Sequence, residues 1–301
     1  MKIFITGGTG FVGTSLSRYL LKKGHRVIAT GRSLRHKCDG HEKFQYISAD
    51  TSQKGDWQDA LYQVDAAVNL AGINILRRWT DRNKQKIYDS RILTTRNLVE
   101  AMQGNNKATL CSTSAGGYYG NRGDKILTED AGPGDDFLAK VCMDWEKEAY
   151  QAEAEGIRVV AMRFGVVLGK SGGPIKKMLP AFKFFVGGPM GNGKQWFPWI
   201  HLDDLISAIV FIIENRQIKG PVNFCAPGPL RNIDFAKILG NMLNRPSFMP
   251  VPAFMIRLIM GEMGTSLLNS QRLSSEKLTG YGFKFQYADV NRALNEILMA
   301  S

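Results

Sequence analysis

Gly7, Gly10 and Gly13 recur at three-residue spacing in Thr6-Gly7-Gly8-Thr9-Gly10-Phe11-Val12-Gly13. A short apolar run, residues 2–6, precedes them, and an amphipathic run, residues 11–23, follows. In a turn that cradles a pyrophosphate each glycine has its own task. Gly7 permits the tight turn, Gly10 lets the backbone approach the phosphates, and Gly13 lets helix pack closely on strand. Phe11 and Val12 open the helix, whose free N–H groups and positive dipole end suit an anion. Strand before and helix after is the setting the pattern requires. The chain is therefore read as a dinucleotide binder.

The next strand, residues 26–30, decides which dinucleotide. NAD-binding units commonly end it in Asp or Glu, which hydrogen-bonds the ribose 2′-OH. This one runs into Gly31-Arg32-Ser33, without a carboxylate. Arg32 offers a guanidinium fork for a 2′-phosphate and Ser33 a hydroxyl beside it. Arg35 and Lys37 add positive field. NADP is favoured over NAD. Asp50, after the third strand, is read in two ways: as an acceptor for the adenine amino group, or as a turn cap.

These residues need a frame. Apolar strands at residues 2–6, 26–30, 44–48, 65–70, 108–113 and 158–163 alternate with helical patterns at 11–23, 56–62, 81–102 and 136–155. Right-handed crossovers then give an α/β fold, a Rossmann-type doubly wound parallel sheet covered on both faces. After residue 170 glycine, proline and aromatics rise. Helices are predicted at 174–185, 204–214, 233–243, 253–261, 274–278 and 287–299, with a strand at 221–225 that rejoins the sheet. The organisation is thus a dinucleotide-binding domain over residues 1–170 and a smaller, mostly helical substrate-side lobe over residues 171–301.

The chain has 301 residues and a formal net charge of +12, with 44% hydrophobic and 22% charged residues. That length buries a core without staples, and the composition excludes wholesale disorder. Cys38, Cys111, Cys142 and Cys225 make no CxxC pair, so no metal site and no disulfide framework is expected. No apolar run reaches spanning length, and the best, residues 251–260, is cut by Pro252 and Arg257. The expectation is a soluble, cytoplasmic protein with no membrane partner. The basic surplus gathers at residues 22–37, 77–96 and 170–194, beside the segments assigned to the cleft. It suits an anionic small molecule, and no recognised motif supports nucleic acid.

Together these motifs resemble the extended short-chain dehydrogenase/reductase superfamily over nearly the whole chain. The matching segments are residues 6–13, Asn69-Leu70-Ala71-Gly72, Ser112-Thr113-Ser114-Ala115, residues 163–169 and Trp199-Ile200-His201-Leu202-Asp203-Asp204. The chain is more similar still to the atypical subgroup called epimerase family protein, NAD-dependent epimerase/dehydratase-like. That likeness rests on Arg77-Arg78-Trp79-Thr80, Ser90-Arg91-Ile92, Gly117-Tyr118-Tyr119-Gly120, Phe137-Leu138 with Trp145-Glu146, residues 191–197 and Gly261-Glu262-Met263. The resemblance implies that Thr6, Leu70, Ala71, Gly72 and Arg91 border the cofactor. It also implies a C-terminal segment of uncharacterised role over residues 245–300. It implies no particular substrate.

In the superfamily a Tyr with a Lys four residues later exchanges the proton, and a strand-end Ser orients the substrate. Ser114 is the candidate serine, with Ser112 a second. The Tyr and Lys positions fall on Leu138 and Cys142, or on Phe137 and Val141, so the pair is missing. Tyr119, with Tyr118 beside it, is the candidate phenol in the loop after Ser114; the alternative is that both pack beneath that loop. In sugar-nucleotide epimerases the segment matching residues 187–199 grips the substrate, which makes Lys194, Gln195 and Trp196 candidates for an anionic small molecule. The alternative is a surface loop capping the lobe. Asp203 or Asp204 is read as a helix N-cap. Two functions follow: an NADP(H)-dependent oxidoreductase, epimerase or dehydratase, or a non-enzymatic NADP(H)-binding regulator or redox sensor.

Overall fold

The apolar strands pair as their composition demands. The central strands are buried on both faces, which is why they read as near-continuous hydrophobic runs, whereas residues 44–48, at the sheet edge, are half-buried or exposed. In the computed structural model, which describes residues 1–299, the strands are β1 (Lys2–Thr6), β2 (Arg26–Gly31), β3 (Phe44–Ser48), β4 (Ala66–Asn69), β5 (Thr109–Ala115), β6 (Arg158–Phe164) and β7 (Gly220–Phe224). Their order is β7-β6-β5-β4-β1-β2-β3, all parallel. The chain winds outward from β1 in both directions, so the crevice beyond β1 and β4 is where such sheets bind ligands.

Alternate residues divide the core. Ile3, Ile5, Val27, Val68 and Val160 face the helices α1 (Phe11–Lys22) and α5 (Leu202–Glu214). Phe4, Ile28, Ala67, Leu110 and Val159 face α2 (Asp81–Ala101) and α3 (Phe137–Tyr150). A further cluster unites Ile175 and Phe182 of α4 (Gly173–Lys183), Phe235 and Leu239 of α6 (Asn232–Met242), and Leu294 and Ile297 of α10 (Val290–Met299). Three short helices, α7 (Ala253–Met260), α8 (Glu262–Leu267) and α9 (Glu276–Gly280), complete the C-terminal part. Residues 300 and 301, which end the lobe read from sequence, lie outside the described residues.

Several boundaries differ from the sequence reading, each for a local reason. The fifth strand runs on to Ala115, because Ser114 and Ala115 still pair with Arg163 and Phe164 of β6. The helix over residues 136–155 tightens to a 3-10 turn after Tyr150 and ends at Gly156, whose φ is +75°. The glycine-rich stretch after β6 contains an unforeseen strand, Val166–Leu168, paired in parallel with Trp199–His201. Neither Asp203 nor Asp204 caps α5. His201 does so, its ring accepting from the Asp203 N–H. The buried Asp204 carboxylate instead accepts the N–H groups of Gln286 and Tyr287 at 2.7 and 2.8 Å, tying the C-terminal segment to α5.

Candidate cofactor and active site

The glycine turn is built as its spacing requires. Gly7 has φ +66°, and a Cβ there would lie 2.8 Å from the Leu70 carbonyl oxygen. A Cβ on Gly13 would meet the Gly7 oxygen at 2.3 Å, so only glycine lets α1 sit this close to β1. Gly10 is the N-cap of α1 and supplies no side-chain cap. No acid stands in the first turn, so the leading N–H groups remain available to an anion. Thr6 latches the ends of β1 and β4. Its hydroxyl donates to Asn69 Oδ1 at 2.7 Å and accepts from the N–H groups of Leu70 and Ala71.

His36 was missed by sequence reasoning. It is buried, and its Nε2 donates to the Gly8 carbonyl at 2.9 Å while its Nδ1 accepts from the Cys38 N–H. The imidazole therefore braces the phosphate turn from the β2 side. A lone histidine in a polar loop carries no spacing signal.

A cleft of about 440 Å³ opens above this turn. Gly7, Gly10, Gly31, Arg32, Asp50, Leu70, Ala71 and Gly72 line it, with Lys86 and Ser90 from α2. Arg32 is exposed at the mouth, and no carboxylate ends β2. Ser33 is exposed beside it, its carbonyl accepting from the Tyr46 hydroxyl. Asp50 lines the cleft and caps its turn, its Oδ1 accepting from the Ser52 N–H and hydroxyl. Phe11 and Val12 are half-buried at the start of α1. The loop at Gly169, Gly172 and Gly173 lies against the Phe11 ring, where a Cβ on Gly172 would approach it to 2.6 Å. The donor-rich turn, the uncapped helix end and the free guanidinium fit a dinucleotide with phosphate groups.

The two hydroxyls expected to act on a substrate are placed otherwise. Ser114 is fully buried and donates to Glu146 Oε1 at 2.6 Å. Glu146 in turn pairs with Arg163 through two hydrogen bonds of 2.9 and 2.8 Å. Tyr119 is fully buried as well. Its hydroxyl accepts from Arg163 and donates to Asn223 Oδ1 at 2.8 Å. Burial pushes its phenol up to about 12, against the opposing pull of Arg163. Ser114, Glu146, Arg163, Tyr119 and Asn223 thus form one satisfied buried network joining β5, α3, β6 and β7. A carboxylate and guanidinium this dry persist only because their partners neutralise them. Tyr118 is half-buried, its ring 3.5 Å from the Arg163 guanidinium.

On α3, Leu138 and Cys142 occupy the places where the superfamily's phenol and amine are expected. Leu138 packs against Gly117, whose Cβ would lie 3.3 Å from it. Burial pushes the Cys142 thiol up to about 11, with Glu146 adding to the effect, so no thiolate forms near neutrality. Arg91 lies behind Gly72, donates to the carbonyls of Ile87 and Ile73, and stands over the Trp145 ring. Burial lowers its guanidinium to about 10, which leaves it charged at neutral pH. No carboxylate among the described residues forms an ion pair with it.

The expected substrate segment is divided in role. Gln195 is buried and donates to the Met190 carbonyl, holding its own loop together. Trp196 is clamped between the guanidinium groups of Arg231 and Arg272, 4.4 and 4.6 Å from its ring, and donates to Asp124 at 2.8 Å. Lys194 is exposed, and its carbonyl accepts from Arg231. Of the three, Lys194 alone presents a free charge. No group of three or more His, Cys, Asp or Glu among the described residues is arranged to hold a metal ion.

Comparison with known proteins agrees with this architecture. The family model described as NAD dependent epimerase/dehydratase family matches residues 3–225, and a domain of unknown function (DUF1731) matches residues 251–297. The chain is 38% identical over 302 residues to the epimerase family protein YfhF of Bacillus subtilis, covering 99% of this chain and 98% of that one. The crystal structure of human epimerase family protein SDR39U1 with NADPH superposes with a TM-score of 0.88 at 30% identity, over the full length of both chains. MoeE5 in complex with UDP-glucose and NAD shares the fold, with a TM-score of 0.79 at 18% identity, covering 98% of this chain and 96% of that one. By its seven-stranded sheet, its glycine turn and these matches, the chain belongs to the NAD dependent epimerase/dehydratase family.

Proposed function

We propose that this protein binds NADP(H) in preference to NAD(H) and acts as an oxidoreductase- or epimerase-type enzyme on a small anionic substrate. The observation that carries the cofactor choice is Arg32 at the mouth of a cleft whose β2 end has no carboxylate. The NADPH in human SDR39U1 supports the same choice. When bound, the nicotinamide supplies hydride transfer. The chain's own residues bind and orient: the turn at Gly7 to Gly13 takes the pyrophosphate, Arg32 the 2′-phosphate, and Leu70, Ala71 and Gly72 border the path towards β5. Arg91 puts positive charge behind Gly72, where it favours an anionic ligand. Ser114 and Tyr119 hold strand ends in place and exchange no proton with substrate.

One specific observation favours a second reading, a non-enzymatic NADP(H)-binding sensor: every superfamily proton-transfer position is apolar, a protonated thiol or a buried, saturated hydroxyl. A substrate screen separates the two. Thermal stabilisation in the presence of NADPH first identifies binders among nucleotide sugars, keto acids and aldehydes, through mass action. Nicotinamide absorbance then reports net hydride transfer, and product analysis detects epimerisation. Turnover with any stabilising ligand supports the enzyme. Tight NADPH binding with no turnover across the panel supports the sensor.

A further inference from the structure

An apolar helix lies on the surface. On α7, Ile256 faces inward and is 5% exposed, whereas Phe254, Leu258 and Ile259 are 69, 76 and 67% exposed. Phe254 and Leu258 stand one helical turn apart and so share a face. A second loop continues this surface. Phe184 and Phe185, just past α4, are 78 and 55% exposed, and Phe248 before α7 is 79% exposed. The two loops form one unit. Met190 bridges to Val251, the Val251 N–H donates to Pro189, and the Arg245 guanidinium stacks on Phe185 at 4.6 Å. Monomeric soluble proteins rarely expose contiguous apolar patches of this kind without a use for them.

Charge selects the occupant. No Asp or Glu occurs over residues 156–202 or 235–261, the two stretches that build the patch. Lys176, Lys177, Lys183 and Arg257 are exposed within these stretches, and the half-buried Arg245 lies on Phe185. The next acid in sequence, Glu262, is paired with Lys84. A second copy would bring like charges face to face. The protruding side chains offer almost no hydrogen-bonding groups, and the polar fringe is of one sign only, whereas a protein interface surrounds its apolar core with a rim of paired polar contacts. Protruding Phe, Leu and Ile with a Lys/Arg fringe match the physics of insertion into a lipid headgroup region that carries negative charge. We propose that this face docks peripherally on an anionic lipid bilayer. No helix among the described residues is long and apolar enough to cross a membrane, so the contact is one of surface insertion. The sequence-based expectation of no membrane partner rested on the lack of a spanning segment and did not address a surface contact.

Vesicle flotation of the full chain tests this. Binding is expected to vesicles of phosphatidylcholine mixed with phosphatidylglycerol, weakening as salt rises, and not to pure phosphatidylcholine. Lys176→Gln with Lys177→Gln should weaken partition about tenfold or more, from the attraction of each cation to an anionic leaflet. Phe254→Ser with Leu258→Ser should weaken it about a hundredfold or more, from lost apolar burial. Both variants should keep the circular dichroism spectrum and NADPH affinity of the parent, since neither pair lines the cofactor cleft. No flotation with anionic vesicles, or equal flotation with neutral ones, overturns the proposal. So does a concentration-dependent dimer that the Phe254→Ser/Leu258→Ser variant abolishes, or capture by a soluble acidic peptide in place of vesicles.

Discussion

Ser114 and Tyr119 illustrate how residue type and residue role separate. Ser114 stands at the superfamily's serine position and Tyr119 in the loop that follows it, yet each hydroxyl is consumed in the buried network around Arg163 and Glu146. Ser114→Ala removes a hydrogen bond to a charged group and should cost about 1.5–3 kcal/mol of stability, measured by denaturant unfolding, with NADPH affinity unchanged. Tyr119→Phe leaves Asn223 Oδ1 without its donor and should cost about 1–3 kcal/mol. Its pH dependence has a fixed sign. The phenol titrates near 10 when unfolded and about 12 when folded, so between those values the native state holds the extra proton. The stabilisation Tyr119 contributes is full below pH 10 and is lost as pH rises towards 12. The stability gap between parent and Tyr119→Phe should therefore narrow across that window, and a gap that widens would contradict the burial argument. Arg32 acts at the opposite extreme of exposure. Arg32→Ala should weaken NADPH binding by about 1.5–3 kcal/mol, the range for a charged hydrogen bond, and leave NADH binding nearly unchanged in calorimetric titration.

Among elements, the first βα turn was the most legible in sequence, because sterics leave so few residue types for it. Gly7 and Gly13 are fixed by contacts with Leu70 and with Gly7 itself, whereas Gly10 meets only the Gly7 oxygen, at 3.1 Å, in an ordinary backbone conformation. That contrast is testable. Gly10→Val should keep the fold, as seen by circular dichroism, while placing a side chain in the pyrophosphate's path and weakening NADPH binding by at least about 1–3 kcal/mol, the cost of forced overpacking. Gly13→Val should instead destabilise the protein itself, because its Cβ runs into backbone at 2.3 Å. Helix α3 was legible in span but not in function. Periodicity places Leu138 and Cys142 on it, and the missing phenol and amine are plain in sequence. That Glu146 on the same helix buries itself against Arg163 of β6 requires a contact 17 residues away, which no local pattern encodes. The ladder between Val166–Leu168 and Trp199–His201 was missed for the same reason: three-residue strands amid glycine carry no period.

Across the whole molecule, the doubly wound sheet follows from alternating apolar strands and helices, and the strand at residues 221–225 does rejoin it as β7. What sequence did not disclose is how the C-terminal segment is tied back. Asp204 reads as a helix cap, and instead anchors Gln286 and Tyr287 across about 80 residues of chain. Such non-local ties also make cofactor binding visible in global stability. NADPH at about a hundredfold excess over its Kd should add about 2.7 kcal/mol to unfolding, by mass action, read as a rise in thermal midpoint that Gly10→Val reduces to about half or less. The most direct test of the central claim is calorimetric titration of the unmodified protein with NADPH and with NADH under identical salt. NADPH should bind clearly more tightly, because β2 runs into Arg32 and ends without a carboxylate. Equal affinities, or tighter binding of NADH, would contradict it.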